Sequence, residues 1–341
     1  MKRANHLYPV IHDFQNLRMA ARKASKGKRH KPEVQEFLYN LEYELIDIQQ
    51  DLQEKRYEPS PYRTFVIHDP KQRTIAAAPF RDRVVHHAIC RVIGPCLERS
   101  FLPDSYACRE GKGTHRAILR AQEYARRFQY YVKCDIRKYF DSIDQGVLMS
   151  ILRRKFKDPE LLWLLGRILE TWPVCEDEGE ADHPRKGVPI GNLTSQYFAN
   201  LYLDPVDHLM KDRLGLPGYI RYMDDILLLA HDKESLHEAA STMLRFIEAE
   251  LGLELKTFYL KPTWEGIRFL GFHIFPGMIR LQRQNWNRFK RKFLLRQNQY
   301  AQGKIDPEYF VQSIAGLFGH IQHGDTWNLR RRFLEKYEMD F

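Results

Sequence analysis

Two adjacent acids, Asp224 and Asp225, stand between two short apolar segments, residues 219–222 and 226–229. These segments have the length and composition of buried strands, so the pattern predicts a hairpin with both acids at its turn. Carboxylates this close repel each other, and a divalent cation relieves the repulsion. Magnesium is the ion that Asp-rich oxygen sites favour. Because Asp is also a common turn residue, the pair alone is equally compatible with a purely structural turn.

A third acid, Asp135, follows another apolar segment, residues 130–134, which predicts a short buried strand. Three carboxylates brought together can hold two cations roughly 3.5–4 Å apart, which stabilise the attacking and leaving oxygens of an in-line displacement. In nucleotide addition, one ion activates a primer 3′-hydroxyl and the other holds the incoming triphosphate. The three acids therefore predict metal-dependent phosphoryl transfer.

The segments around these acids alternate between helical and extended patterns, which indicates an α+β fold. Apolar residues at steps of three and four, from Phe37 to Leu52, predict one amphipathic helix over residues 33–56. Residues 64–67 and 74–76 flank a proline turn and predict a hairpin with a basic tip. Further helices are predicted over residues 82–98, 115–128, 195–211 and 234–251. Helical stretches are predicted near 145–170 and over the basic C-terminal region, with strands near 267–275.

Charge is distributed unevenly along the 341 residues, whose net charge is +10. Residues 1–31 carry nine Lys or Arg against one acid, and residues 280–341 carry twelve against six. The centre is acidic and includes an acidic loop at residues 176–180. Basic flanks suit a polyanion, because each phosphate contact releases condensed counterions. Solvated surface charge would give the same composition.

The composition, with 43% hydrophobic residues, is that of a globular protein with a large core. The five cysteines form no Cys-x-x-Cys pair, so the sequence predicts buried thiols and neither a disulfide framework nor a zinc site. No apolar run reaches the roughly 18 residues of a membrane span, and no apolar signal-peptide core follows Met1. We therefore expect a cytoplasmic protein with no membrane partner.

Seven sequence blocks follow one another in the order found in reverse transcriptases. They are residues 73–83, residues 105–113, Asp135 with Tyr139 and Phe140, and residues 187–196, 222–225, 253–257 and 269–272. The Tyr-Met-Asp-Asp block is a weak match by itself, but the complete ordered series is specific. The chain thus resembles this family over most of its length.

The resemblance implies a right-hand polymerase with fingers, palm and thumb, in which the acidic hairpin lies in the palm. It implies synthesis of DNA from deoxynucleotides on an RNA template. It divides the chain into a basic N-terminal helical extension (1–60), fingers (61–130), a palm with inserted finger helices (131–280) and a short basic helical thumb (281–341).

The same resemblance implies roles for individual residues near the acids. Asp135 and Asp224 fall on the family's metal-binding carboxylates, with the Ile136 backbone carbonyl as a further ligand, and Asp225 completes the catalytic triad. Two magnesium ions are implied, with manganese as a substitute. Phe140, five residues after Asp135, falls where the family places the aromatic steric gate that blocks a ribose 2′-hydroxyl. A core aromatic is the alternative for this position.

Three basic residues fall where the family binds the triphosphate or protonates its pyrophosphate leaving group. Arg73 and Lys71 lie in the predicted fingers hairpin, where they would bind the phosphates of the incoming nucleotide. Lys256 lies where a late basic residue protonates the pyrophosphate leaving group, although Lys261 competes for that role. Ordinary surface charge is the alternative for all of them.

The fourth block departs from the usual family pattern. Most reverse transcriptases have Gln immediately before the second Gly and end the block in Ser-Pro, whereas this chain has Ile190 before Gly191 and ends in Ser195-Gln196. This variant is similar to the reverse transcriptases of diversity-generating retroelements. Those enzymes copy a template-repeat RNA with frequent errors at adenines, and they work with a small basic accessory variability determinant that forms a ring-like oligomer.

The basic C-terminal region is predicted to hold the template–primer duplex, or its RNA, by phosphate contacts. The residues chosen for this role are Arg288, Lys290, Arg291, Lys292, Arg330 and Arg331. The implied partners are therefore an RNA template, an RNA/DNA duplex, deoxynucleotides and the accessory protein.

Three other functions stay open from the sequence. One is a reverse transcriptase of a retron, a group II intron or a phage-defence system, which Ile190 and Gln196 disfavour. Another is an RNA-dependent RNA polymerase, which Phe140 and the Tyr222-Met223 pair disfavour. The last is an RNA-binding scaffold without catalysis, which the presence of all three acids disfavours.

Overall fold

The computed structural model describes residues 3–68, 72–172, 185–256 and 258–337. The α-helices are, in chain order, α1 (Tyr8–Ile11), α2 (Phe14–Ser25), α3 (Pro32–Tyr39), α4 (Leu41–Gln53), α5 (Phe80–Glu98), α6 (Thr114–Arg127), α7 (Tyr139–Ser142), α8 (Gln145–Lys155), α9 (Pro159–Glu170), α10 (Leu193–Tyr202), α11 (Asp204–His208), α12 (Lys233–Leu251), α13 (Arg283–Ala301), α14 (Pro307–Ile321) and α15 (Trp327–Lys336). The strands are β1 (Arg63–Ile67), β2 (Arg73–Ala77), β3 (Tyr130–Asp135), β4 (Gly218–Tyr222), β5 (Asp225–Ala230), β6 (Tyr259–Pro262), β7 (Ile267–Phe269), β8 (Phe272–Ile274) and β9 (Ile279–Leu281).

The chain divides into two compact units. One contains Met1–Cys108, Ile136–Arg213 and Thr242–Lys256, and the other contains Arg109–Asp135, Leu214–Ser241 and Thr257–Phe341. The division into N-terminal extension, fingers, palm and thumb stays a prediction.

The first unit is mostly helical and is organised around α5. This helix packs against α2 and α10, and its buried face includes Val84, Ile89 and Ile93. A buried acid near its start, Asp82, accepts hydrogen bonds from the Tyr57 hydroxyl at 2.8 Å and the Ser60 amide at 3.0 Å. These bonds hold the segment that leads into the β1–β2 hairpin.

The second unit contains two antiparallel sheets. The larger has the strand order β4-β5-β3-β6, and the smaller has the order β7-β8-β9. β5 is almost entirely apolar and buried, as expected for a strand in the middle of a packed sheet. The predicted hairpin that carries the paired acids is confirmed as β4 and β5. β6 and β9 were not predicted, because each is too short to show a clear alternation of apolar and polar residues.

The C-terminal helices of the second unit pack around aromatic side chains. Phe289 and Phe293 of α13 meet Ile321 of α14 and Phe333 of α15 in one buried cluster. The Phe289 and Phe333 rings lie 5.4 Å apart in an edge-to-face arrangement, which is a favourable geometry for aromatic pairs. The basic C-terminal region is therefore helical, as predicted, and it buries Phe289, Phe293 and Phe333.

Two predicted helices are interrupted. The helix expected over residues 33–56 is divided into α3 and α4 at Asn40, whose φ and ψ of −98° and 25° leave the helical region. Asn favours helix ends because its side chain competes for backbone hydrogen bonds. The helix expected over residues 195–211 ends at Tyr202 and restarts as α11, because Pro205 has no amide hydrogen to continue the ladder.

The described cysteines are free thiols. Cys90 and Cys134 are buried as predicted, but Cys96 is half-buried and Cys108 is exposed, so the expectation of buried thiols is wrong for Cys108. Cys175 and the acidic loop lie outside the described residues. Among the helices that the structure describes, none combines the length and apolar character needed to cross a membrane.

Candidate active site

The four-stranded sheet β4-β5-β3-β6, called the central sheet from here on, brings the three predicted acids to one of its ends. β3 and β5 are antiparallel partners, and their register places Asp135 directly opposite Asp225. Side chains at opposed positions of antiparallel strands have Cβ atoms roughly 4.5–5.5 Å apart. Asp224 lies in the two-residue turn that joins Tyr222 to Asp225. The prediction that a separate strand end supplies a third carboxylate beside the acidic hairpin agrees with this register.

The acidic turn is held by contacts from both of its sides. Met223 has a φ of 57°, a left-handed conformation that costs energy in a non-glycine residue. Arg221 is fully buried, and its Nη1 donates a hydrogen bond to the Met223 carbonyl at 3.3 Å. The Thr114 hydroxyl, on the first residue of α6, donates to the Tyr222 hydroxyl at 3.0 Å. These contacts stabilise a turn that would otherwise be strained.

A lysine that the sequence analysis did not select lies beside the acids. The Lys133 Nζ is 2.9 Å from Asp225 Oδ1, and it also donates a hydrogen bond to the Arg268 carbonyl at 3.2 Å. Lys133 and Asp135 are two residues apart on β3, so their side chains leave the same face of the strand. Period-two alternation along residues 130–135 was the signal that could have identified Lys133. Its ammonium offsets part of the negative charge at this end of the sheet.

The donor set fits a magnesium site that substrate completes. Among the residues described, no three His, Cys, Asp or Glu side chains already form a metal-binding group. Magnesium proteins typically supply only one or two carboxylates, and waters and substrate phosphates fill the other positions. The opposed Asp135 and Asp225, with Asp224 in the adjoining turn, match that pattern of hard oxygen donors.

The predicted gate residue is positioned by the fourth sequence block. Phe140 is half-buried on the short helix α7, and its carbonyl accepts a hydrogen bond from the Val188 amide at 2.9 Å. The Gly187 amide donates to the Ile143 carbonyl at 2.8 Å. A Cβ at Gly187 would lie 2.8 Å from Trp172 Nε1, so only glycine fits this approach. Residues 187–188 therefore run alongside the segment that carries Phe140.

The next residues of the same block reach the β1–β2 hairpin. The Ala76 amide donates to the Ile190 carbonyl at 2.8 Å. Gly191 has a φ of 130°, and a Cβ there would lie 2.8 Å from the Ala76 carbonyl oxygen. Ile190 is half-buried, and Arg73 is exposed at the first position of β2. The first unit thus links Phe140, Ile190 and the strand of Arg73 through one chain segment.

The remaining candidates for nucleotide or metal binding are Lys71, Lys256 and the Ile136 backbone. Lys71 lies outside the described residues. Lys256 is exposed and directly follows Leu255, which forms an antiparallel bridge with Ile136. The Ile136 side chain is buried, so its backbone is the part that remains for the predicted ligand role.

A basic cavity lies on the three-stranded sheet and the start of α13. The sequence analysis did not predict it. It has a volume of about 450 Å³ and is lined by Arg268, Arg280, Arg283 and His273, without an acid among its lining residues. His273 pairs with Arg268 on one side and with Arg280 on the other. The Arg268 and Arg280 side chains therefore stand on the two outer strands, on either side of His273, and a bound anion would balance their positive charge. The available sequence signal was one basic residue between two apolar residues in each of the three strands.

The predicted thumb residues lie on two helices. α13 carries Arg288, Lys290, Arg291 and Lys292, and α15 carries Arg330 and Arg331. Arg291 and Arg331 are exposed, whereas the other four are half-buried. The Arg330 guanidinium lies 5.7 Å from the centre of the Trp327 ring, and Arg331 Nε is 3.6 Å from Glu335 Oε1. Part of the charge on α15 is therefore already paired.

An antiparallel sheet with acids at one end, together with a helical C-terminal region, is the architecture of a right-hand polymerase fold. The sequence profile described as "Reverse transcriptase (RNA-dependent DNA polymerase)" matches residues 67–274, which is more than half of the chain. The chain belongs to the reverse transcriptase family.

Known relatives are similar at low identity. Protein YkfC of Escherichia coli is 27% identical over 180 residues, which are 51% of this chain and 47% of that protein. The group II intron-encoded protein LtrA of Lactococcus lactis subsp. cremoris is 25% identical over 222 residues, 61% of this chain and 37% of that protein. The matched regions thus span less than half the length of either relative.

Solved structures agree on the fold. The apo telomerase of Candida tropicalis superposes with a TM-score of 0.50 and 11% identity, over 64% of this chain and 48% of that one. At this identity the likeness establishes the polymerase fold alone.

Proposed function

We propose that this chain is an RNA-directed DNA polymerase that extends a primer by metal-dependent phosphoryl transfer. The observation that carries the proposal is the register that sets Asp135 opposite Asp225, with Asp224 in the adjoining turn. Acids from two distant segments of the sequence, Asp135 and the Asp224–Asp225 pair, are collected at one end of one sheet. Membership of the reverse transcriptase family supports the same activity.

Each residue of this sheet end has a role in the proposal. Asp135, Asp224 and Asp225 would hold two magnesium ions, with the Ile136 carbonyl as a further ligand. The ions would supply activation of the primer 3′-hydroxyl and neutralisation of the triphosphate. Lys133 orients Asp225 through its 2.9 Å contact before nucleotide arrives.

Substrate is positioned by the basic and aromatic residues. Arg73, and Lys71 beside it in the sequence, bind the triphosphate, and Lys256 protonates the departing pyrophosphate. Phe140 excludes the 2′-hydroxyl of a ribonucleotide. The cavity lined by Arg268, Arg280 and Arg283 binds the phosphates of the template–primer duplex, together with the basic residues of α13 and α15.

Primer extension tests the activity. Asp224→Ala should reduce extension on an RNA template by at least about a thousandfold, because the loss of a metal ligand removes transition-state charge stabilisation. Template–primer affinity should be unchanged. Glu250→Ala, at an exposed acid of α12, is the matched control. Extension by Asp224→Ala at the control rate in magnesium would contradict the metal-site assignment.

We further propose that the enzyme acts in a diversity-generating retroelement and copies a template-repeat RNA with errors directed to adenines. The support is Ile190 in place of the family's usual Gln, together with Gln196 at the end of the block. The Ile190 carbonyl is bonded to Ala76 of β2, so an apolar side chain is held at a defined place in the block. A small basic accessory protein of the retroelement would be its partner.

The effect of Ile190 follows from its chemistry. A Gln side chain can hydrogen-bond and orient the incoming nucleotide, whereas Ile supplies shape and apolar contact. The loss of one positioned polar contact costs about 1–3 kcal/mol of discrimination, or roughly ten- to a hundredfold. Ile190→Gln should therefore lower misincorporation opposite template adenine more than opposite the other bases.

Deep sequencing of cDNA made from a defined RNA template measures this error spectrum. Ile190→Val, which keeps the apolar character, is the matched control and should keep the adenine bias. An adenine error rate that Ile190→Gln leaves unchanged, or an equal fall at all four bases, would contradict the role of Ile190.

A second candidate is a group II intron reverse transcriptase. It is favoured by the similarity to LtrA, whose name identifies it as an intron-encoded protein. The DNA that flanks the gene separates the two candidates. Paired template and variable repeats that differ at adenines identify a diversity-generating retroelement, whereas flanking intron RNA domains identify a group II intron.

A further inference from the structure

The end of the central sheet opposite the carboxylates carries a surface of cations and aromatic rings. β3 runs from Tyr130 at this end to Asp135 at the catalytic end. At about 3.3 Å per residue, the two ends lie roughly 16 Å apart. Tyr130 pairs with Ala230 of β5 and Pro262 of β6, so three strands meet here. We call this surface, formed by Arg126, Arg127, Tyr130, Lys233 and Trp264, the distal surface.

Trp264 is the most unusual residue of the distal surface. Its side chain is 71% exposed, although Trp is normally among the more buried residue types. It lines an open cavity of about 430 Å³ together with Arg126, Arg127 and Tyr130. A large aromatic face at the rim of such a cavity is available to stack on a planar ligand.

The backbone that presents Trp264 is fixed. The preceding residue, Thr263, is buried, and its amide donates to the Gln129 carbonyl at 2.8 Å. The Thr263 hydroxyl donates to the Phe128 carbonyl at 2.7 Å. Glu265 follows, and its carbonyl accepts a hydrogen bond from the His273 ring. The indole is therefore exposed on a rigid turn, so little entropy is lost when a ligand orders it.

Cations surround the aromatic rings of the distal surface. The Arg127 guanidinium lies 5.2 Å from the centre of the Phe128 ring, and Lys233 Nζ lies 5.2 Å from the centre of the Tyr130 ring. Arg126 is exposed and is anchored by a 2.7 Å hydrogen bond from Nε to the Pro276 carbonyl. Interleaved cations and π-faces match a ligand that carries both phosphates and bases.

Three acids adjoin residues of the distal surface in the sequence, Asp232, Glu234 and Glu265, and Asp232 is engaged locally. Asp232 accepts hydrogen bonds from the amide and the hydroxyl of Ser235, both at 2.7 Å, which caps the start of α12. Glu265 is exposed beside Trp264 but is absent from the lining of the cavity. The cavity itself is therefore lined by Arg126 and Arg127 without a compensating acid.

We propose that the distal surface binds an unpaired segment of RNA, with a base stacked on Trp264 and phosphates at Arg126, Arg127 and Lys233. This inference rests on the proposed RNA-directed activity but adds a second RNA site, away from the carboxylates. The cationic character favours RNA over a basic protein partner, and the exposed π-face favours unpaired bases over a duplex. Such a site would hold template RNA that is not being copied.

The test measures affinity for a fluorescent, unpaired RNA of about 12 nucleotides, a length within the usual site size of single-strand binders. Excess blunt RNA/DNA duplex is present to occupy the duplex-binding residues. Trp264→Ala should weaken binding by roughly fivefold to a hundredfold, and Trp264→Phe should retain most of the affinity. Tyr39→Ala, at an aromatic that is 90% exposed on α3, is the matched control and should bind as wild type.

A second variant tests the phosphate contacts. Arg127→Gln should reduce the slope of log affinity against log salt by roughly 0.7, the value for one contact on a single strand. Photocrosslinking of 4-thiouridine RNA should label the peptide that contains Trp264. Thermal unfolding checks that each variant is folded. We expect both variants to fold, because the Trp264 and Arg127 side chains are exposed.

The outcomes separate this inference from the polymerase assignment. Unchanged RNA affinity in both Trp264→Ala and Arg127→Gln would overturn the distal site, whereas failure of the wild type to extend a short primer–template would overturn the proposed activity. If the variants keep RNA affinity but Arg127→Gln loses binding of a polyglutamate peptide, the distal surface binds an acidic protein and the RNA assignment is wrong.

Discussion

Replacement of Lys133 by Met offers a direct test of how the acidic end of the sheet is balanced. Lys133 Nζ lies 2.9 Å from Asp225 Oδ1, and the two side chains are 33% and 29% exposed. A fully exposed pair contributes about 0.2–1 kcal/mol, and a hydrogen bond to a charged group contributes up to about 3 kcal/mol when buried. For this half-buried pair we expect a contribution of about 1 kcal/mol to the free energy of unfolding.

The variant should have opposite effects on the metal-free and metal-bound protein. Without metal, the opposed carboxylates lose their compensating cation, so the free energy of unfolding should fall by about 1 kcal/mol, which lowers Tm by about 2 °C. A metal ion at Asp225 must compete with the Lys133 ammonium. Removal of that ammonium should therefore lower the half-saturating magnesium concentration by about fivefold, the factor that corresponds to about 1 kcal/mol.

Thermal unfolding in EDTA and over a magnesium titration, without nucleotide or nucleic acid, measures both effects. Metal that binds only the folded state stabilises it by RT ln(1 + L/Kd), where L is the free metal concentration, so the rise of Tm over the titration gives the half-saturating concentration. Lys304→Met, at an exposed lysine after α13, is the control for a general loss of positive charge. An unchanged or higher half-saturating concentration in Lys133→Met, compared with this control, would refute the competition between Lys133 and metal.

Three further changes test other parts of the molecule. Phe140→Ala should reduce discrimination between dCTP and rCTP by roughly tenfold or more in single-nucleotide extension, and an unchanged preference would make Phe140 a core aromatic. Neutralising Arg330 and Arg331 should flatten the salt dependence of duplex affinity by up to about one unit per lost contact, and a wild-type slope would mean that these charges are only solvated. Burial lowers the pKa of His86 from 6.5 to about 3, so stability should fall as pH drops below about 6.5 towards the folded-state value. His86→Leu should make the unfolding free energy less dependent on pH between about 6.5 and 4 than in wild type, whereas His30→Leu, at an exposed site, should not.

Local patterns were sufficient for most of the elements around the acids. The strand that ends at Asp135 and the hairpin at Asp224 and Asp225 were predicted because short apolar runs bounded by polar turns report directly on buried strands. The long helices α5, α6 and α12 were also predicted. The interruptions at Asn40 and before Pro205 were missed. The apolar stripe continues across both positions, although the helical backbone conformation is broken there.

The sequence by itself determined which acids are present, that each ends or joins a short strand, and that the ordered blocks are those of a reverse transcriptase. Only the tertiary structure decided that Asp135 stands opposite Asp225, because strand register depends on pairing between distant segments. The same dependence explains Lys133, whose partner is 92 residues away in the chain and lies on another strand. The basic cavity of Arg268 and Arg280 likewise exists only when β7, β8 and β9 lie side by side, since periodicity within one strand cannot show which residues of another strand face it.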